Sequence, residues 1–325
     1  MTHPIGLVDG TFAGTNPHAV YTLQLNELGA PHIPALVELP DVGPHATGLG
    51  KVIANLGLPF ELRPYGWQLQ RGERRNAAIQ WRAVAHRNSI IQAMADVAAD
   101  DDVPAVSVRL LGPISLLIDA MLPSGQRILR DAAARTEVAA AWAEGTSELI
   151  ARIHSVLGAR VSLFVQEHRA DDVVNGTIRS ASGADLERAV DISEIRSYWQ
   201  QVAELDAEVF FETPAAVLPD AAQIGSVAVH WPVGRDDQTE QTWELIDKLL
   251  STDNPVALHL QRRPDVERYA EELIQQYLDW GLDPVNLEHV RFVYQFNSET
   301  EVAVGSGLEA LRTIAGHAGG YANSL

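Results

Sequence analysis

Apolar residues recur along the chain in short runs that end abruptly in polar ones, and most runs are followed by a stretch of helical periodicity. Residues 161–165 show the pattern best. They are mostly apolar, with β-branched Val161 and Val165, as a strand buried on both faces requires. The run then stops at Gln166, Glu167 and His168. Strands of the same kind are predicted over 33–39, 58–62, 103–111, 208–211, 226–229, 256–260 and 290–296. Residues 5–8 form a short apolar run leading into a turn-rich loop, and 172–186 reads as a long loop. Helices are predicted over 19–28, opened by Asn16-Pro17, and over 46–56, 76–99, 116–121, 128–157, 193–205, 239–250 and 302–318. The clearest helix is 264–280, where Val266, Tyr269, Ala270, Leu273, Ile274, Tyr277 and Leu278 keep the i, i+3, i+4, i+7 spacing and Gly281 ends it.

Eight strands alternating with helices predict a parallel sheet, and eight is a number that closes. The expected fold is therefore α/β, a (β/α)8 TIM barrel of eight parallel strands, with residues 1–325 forming one domain. In such barrels the chemistry sits at the carboxyl ends of the strands. The polar residues at those ends are Glu38, Arg63, Arg109, Gln166, Glu167, His168, Glu212, His230 and Asn297. Any one of them could merely cap a strand or pair with loop backbone. Burying the whole set without a use would be costly. His259 falls inside a predicted strand rather than at its mouth, which makes it a weaker candidate.

Composition narrows the partners. The chain has 325 residues and a net charge of −19, from 43 acidic against 24 basic residues, and Lys51 and Lys248 are its only lysines. A nucleic-acid partner is not expected, because such a surface repels a phosphate backbone. An anionic small-molecule ligand remains compatible, since local Arg residues outweigh a distant field. No apolar stretch approaches the ~20 residues of a membrane span. The N-terminus lacks a basic region followed by an apolar one, so a cytoplasmic location and no membrane partner are expected. Nothing in the sequence fixes an oligomeric state.

The absence of cysteine excludes disulfides, thiolate metal sites and a cysteine nucleophile. No dinucleotide G-x-G-x-x-G follows a strand, and neither a phosphate loop nor a G-x-S-x-G elbow is present. Glu212 and His230 are the pair that could serve a metal, without HExxH or other compact spacing to support it. No metal and no cofactor are expected, with zinc or another divalent ion as the alternative.

Several short motifs share their order and spacing with a known family. Gly10-Thr11-Phe12-Ala13-Gly14-Thr15, Pro31-His32-Ile33-Pro34, Glu38-Leu39-Pro40, Tyr65-Gly66-Trp67 and Leu111-Gly112-Pro113 run through the first third of the chain. They resemble the C-terminal barrel of cobalamin-independent methionine synthase, most closely its short single-barrel actinobacterial members, within the uroporphyrinogen decarboxylase-like superfamily. The resemblance implies an amino-acid substrate region near Gln166-Glu167-His168. It also places the family's zinc ligands near Phe211-Glu212, His230 and Asn297 or Ser298. The family's cysteines are absent at these positions, and a Glu/His/Asn set is harder and weaker than one built on thiolates. Zinc-thiolate methionine synthesis is therefore not expected.

What the resemblance implies is an enzyme of the methyl- or alkyl-transfer class acting on a small amino acid-like or anionic ligand. Glu167 or His168 would be its general acid or base, and Glu212 with His230 an acid–base pair. Arg63 or Arg109 would hold a carboxylate, with Glu38, Trp67, Gln166 and Asn297 lining the ligand site. The alternatives are a non-catalytic ligand-binding or regulatory barrel and a cofactor-free decarboxylase-like enzyme. A carboxylate facing an imidazole is expected to raise the His230 pKa, and Glu212→Gln to cost ligand binding with roughly 1 kcal/mol of stability or less.

Overall fold

In the computed structural model, residues 5–8, 10–28, 32–70, 78–99, 103–230, 237–251, 254–260, 275 and 289–294 are described. The chain runs through β1 (Ile5–Val8), α1 (Pro17–Leu28), α2 (Gly48–Ile53), β2 (Phe60–Arg63), β3 (Gly66–Leu69), α3 (Ala78–Val97), β4 (Ala105–Leu111) and α4 (Pro113–Asp119). It continues through α5 (Ala132–Leu157), β5 (Arg160–Gln166), α6 (Ala170–Asn175), α7 (Ile192–Ala203), β6 (Glu208–Glu212) and α8 (Leu218–Ala222). The remaining described elements are β7 (Ser226–His230), α9 (Asp237–Leu250), β8 (Val256–Leu260) and β9 (Val290–Tyr294). Apart from Gln275, which is helical, the predicted helix 264–280 lies outside the described residues, as do 302–318 and Asn297.

Seven strands form one parallel sheet in the order β1-β9-β8-β7-β6-β5-β4. The gap between β4 and β1 is bridged by residues 33–38, through Leu7↔Ile33 on one side and Ala35↔Ser107 on the other. This segment makes isolated bridges instead of a ladder, and Pro34 accounts for part of that because it has no N–H to donate. The carbonyl of Pro34 still accepts from the Ser107 N–H at 2.9 Å. The result is the α/β barrel architecture expected from the alternation of strands and helices.

Two stretches take roles other than the expected ones. Residues 5–8 were expected only to lead into a loop, yet β1 pairs with β9 along its whole length. The predicted second strand, 58–62, lies instead in an antiparallel hairpin, β2 with β3, outside the barrel sheet. A hairpin arm and a barrel strand carry the same short apolar signature, so the pattern counts them alike. The predicted loop 172–186 begins inside α6, which Gly176 ends in the left-handed conformation at φ 66°.

The helices are set by local chemistry. Asp131 caps α5 by accepting from the Ala134 N–H at 3.0 Å, and Gly158 closes it with a positive φ. Trp142 on α5 donates its indole N–H to the Leu111 carbonyl at 2.9 Å, fastening the helix to the end of β4. The core has two parts. One fills the layer between sheet and helices, while Leu7, Phe164, Phe210, Ala228, Ala257 and Val293 form a separate apolar cluster inside the barrel. Among the described residues no helix is long and apolar enough to cross a membrane.

Candidate active site at the strand ends

Alternation along each strand decides what faces the barrel interior. Phe164 and Phe210 belong to the interior cluster, so Gln166 and Glu212 share their face, as His259 shares that of Ala257. Above the apolar plug, Arg109, Glu212 and His259 meet. The Arg109 Nη2 donates to Glu212 Oε1 at 2.6 Å, and His259 Nε2 lies 2.8 Å from the same oxygen. They come from β4, β6 and β8, alternate strands of the barrel, which is how a barrel layer is built.

The floor under this trio is aromatic. Phe164 and Phe210 stack with ring centroids 5.0 Å apart, and the Arg109 guanidinium carbon lies 6.0 Å from the Phe164 ring centre. His259 meets Phe164 edge-on. His230, at the end of β7, lies 5.3 Å from His259 between ring centroids and reaches the surface of the mouth. The Glu212 and His259 side chains are only 7% and 3% exposed. Glu212 Oε2, His259 Nδ1 and the Ser107 hydroxyl are nonetheless buried without a hydrogen-bond partner among the described residues. Such atoms cost free energy unless something satisfies them.

The charges follow from the geometry. Burial would push the Glu212 carboxyl up, but the Arg109 guanidinium and the His259 imidazole outweigh it and hold the group well below its ordinary value. Glu212 is thus a fixed anion. His230 is shifted the other way from expectation. Burial lowers its pKa first, the His259 and Arg109 charges lower it further, and Glu212 only partly opposes them. The predicted Glu212–His230 pair is replaced by Glu212 with His259 and Arg109. His259, set aside for lying inside a strand, is the imidazole that the carboxylate holds.

Glu167 sits elsewhere. It is buried on the other face of β5, where its carboxylate accepts from the Ile114 and Ser115 N–H groups at 3.0 and 2.8 Å. The Ser115 hydroxyl lies 2.9 Å from it and the Trp199 indole N–H 3.3 Å. The group caps the start of α4, whose first turn offers unpaired N–H donors. This takes Glu167 away from the interior trio and from the acid–base role predicted for it. Gly112 makes the approach possible, since a Cβ there would lie 2.4 Å from the Glu167 carboxyl carbon.

Burial nevertheless raises the Glu167 pKa from 4.5 to about 7, with the hydrogen-bond donors only partly opposing it. The folded value lies above the unfolded one, so its contribution to stability is complete below about pH 4.5 and lost as pH rises through about 7. Denaturant melts should therefore show wild-type stability falling more steeply between those pH values than that of Glu167→Gln. Parallel slopes would mean that the carboxyl is not titrating in the folded protein.

The other predicted residues divide. His168 is exposed just beyond β5, close enough for its charge to act on His230. Gln166 is half-buried at the end of β5, facing inward. Glu38, at the end of the bridging segment, lies 3.5 Å from the Lys51 ammonium. Arg63 is exposed on the hairpin and pairs with Glu61 at 2.8 Å, and Trp67 is buried in the outer core. Neither is on a barrel strand. Among the described residues no three His, Asp or Glu side chains are grouped to hold a metal. The donor set suits zinc poorly, because a guanidinium already occupies Glu212 Oε1 and would repel a cation.

No protein-family model matches the sequence, and no curated protein does. Among solved structures the chain is similar to a methyltransferase from Methanosarcina mazei. The identity is 13%, the match covers 93% of this chain and 86% of that one, and the TM-score is 0.57. The shared property is the fold. A B12-independent methionine synthase from Shewanella sp. W3-18-1, in complex with selenomethionine, aligns at 11% identity over 72% of this chain and 68% of that one, with a TM-score of 0.49.

Proposed function

We propose that the barrel acts in the methyl- or alkyl-transfer class on a small amino acid-like or anionic ligand bound at the mouth. The observation that carries this reading is the buried Arg109–Glu212–His259 trio with unsatisfied Glu212 Oε2 and His259 Nδ1 above an aromatic floor. A ligand ammonium or hydroxyl would donate to Glu212 Oε2, and its apolar part would rest on Phe164. Gln166, half-buried and facing inward, offers a further polar contact. His230, kept neutral by burial and the neighbouring His259 and Arg109 charges, suits a group that accepts a proton from a nucleophile as the transfer occurs. Glu212, locked as an anion, would orient and balance charge and not donate a proton. No step is assigned to zinc.

His230→Ala isolates this reading, because the side chain reaches the surface of the mouth and holds none of the trio's hydrogen bonds, so its loss should cost about 1 kcal/mol or less. Binding of small amino acids, thioethers and carboxylates to the wild type is the measurement, followed by transfer from a methyl donor. A ligand whose binding survives Glu212→Gln unchanged would reject the mouth as its site. Binding lost in Glu212→Gln, with transfer lost in His230→Ala, is the expected result. Binding without transfer by any donor would favour the non-catalytic barrel.

A further inference from the structure

The opposite end of the barrel holds a cavity of about 680 Å³. Its inner wall is the first turn of the strands, with Ile5, Ala105, Ser162, Glu208 and Arg291, and its outer wall is the C-terminal half of α5. The interior apolar cluster lies between it and the trio, so it does not open into the mouth. Small residues make the space. Ala105 and Ser162 stand on adjacent strands where larger side chains would fill the floor.

The charged groups of this cavity fall into a satisfied set and an open one. Glu208 is satisfied at both oxygens, by Arg291 Nη2 at 2.9 Å and by the Ser162 hydroxyl at 2.9 Å. At the rim Arg160 and Asp206 are exposed, and neither side chain has an ion-pair or hydrogen-bond partner among the described residues. The cavity therefore offers one open cation and one open anion beside an apolar wall that includes Ile150 and Leu205. Its volume falls in the range of small-molecule sites, roughly 300–1,000 Å³.

We propose that this cavity binds a small zwitterion with an apolar side chain, an α-amino acid such as leucine or phenylalanine. The carboxylate meets the Arg160 guanidinium, the ammonium meets Asp206, and the side chain enters the space over Ala105 against Ile150. The site is independent of the mouth and of whatever reaction occurs there.

Calorimetric titration of the full chain with phenylalanine tests it, with phenethylamine and 3-phenylpropionate as probes lacking one charge each. Arg160→Ala and Asp206→Ala are rim changes that should leave the melting temperature unchanged. The expected result is saturable phenylalanine binding, weakened at least tenfold by either variant, with both one-charge analogues similarly weak. His230→Ala and Glu212→Gln should leave this binding intact. No saturable binding at millimolar phenylalanine overturns the proposal. So does binding lost in Glu212→Gln but not in Arg160→Ala, which would place the ligand in the mouth. Equal binding of 3-phenylpropionate and phenylalanine would also reject it, in favour of a plain anion site.

Discussion

Glu212→Gln should destabilise the protein by about 3 kcal/mol, because it leaves the buried Arg109 guanidinium without its counter-charge. That is larger than the sequence implied, and the reason is Arg109. A histidine left without its carboxylate can become neutral by losing one proton, whereas a guanidinium cannot shed its charge. The control is Arg109→Leu combined with Glu212→Leu. Replacing both partners by apolar groups should recover most of the loss, since a buried pair as a whole contributes little net stability. Denaturant unfolding of the single and double variants is the measurement. A single variant within about 1 kcal/mol of wild type would show that the trio carries no structural weight. The pH profile adds a sign. Glu212 has a lowered folded pKa, so its contribution is complete above its ordinary 4.5 and lost as pH falls through the folded value. The acid limb of stability should therefore flatten in Glu212→Gln. Glu167, with its raised pKa, acts in the opposite direction.

Gly112→Ala should cost about 3 kcal/mol through a different route. The new Cβ would stand 2.4 Å from the Glu167 carboxyl, which cannot retreat without abandoning the Ile114 and Ser115 N–H groups. Either the core strains around the intruding methyl or two buried donors lose their acceptor, and each outcome costs 1–3 kcal/mol or so. Adding Glu167→Ala should not rescue the variant, because the cap is still missing. A thermal melt near that of the wild type for Gly112→Ala would mean that α4 starts without help from Glu167. Here the Leu111-Gly112-Pro113 motif acquires a physical reason: its glycine makes room for a carboxylate, and its proline occupies the first helical position.

The alternation of apolar runs and helices made the barrel legible, because periodicity reports burial and burial follows the fold. What it could not report was membership. Residues 5–8 are too short to stand out, and 58–62 looks like any other strand until its antiparallel partner is seen. The places of Arg109, Gln166, Glu212 and His230 toward the strand ends were legible from the apolar runs that precede them. Glu167 and His259 lie elsewhere than expected for one reason: position along a strand does not by itself give the face that a side chain takes. Ala105, Ser107 and Arg109 alternate on the interior face, as do Ser162, Phe164 and Gln166, and Ala257 with His259. The small and polar residues at every second position were the available signal, and it turns Glu167 outward and His259 inward. The identity of the Glu212 partners depends on the stagger between strands, which no local pattern carries.

The pairing of β1 with β9 joins the two ends of the described chain, residues 5–8 with 291–294. During synthesis the first strand leaves the ribosome long before its partner exists. Until then β1 and β8 present open edges lined with apolar residues, the kind of surface that captures neighbouring chains. Closure of the ring is a contact of nearly maximal sequence separation, and such contacts form late. Vectorial synthesis thus leaves these edges open for as long as the chain between β1 and β9 takes to be made, until a strand of five residues closes them.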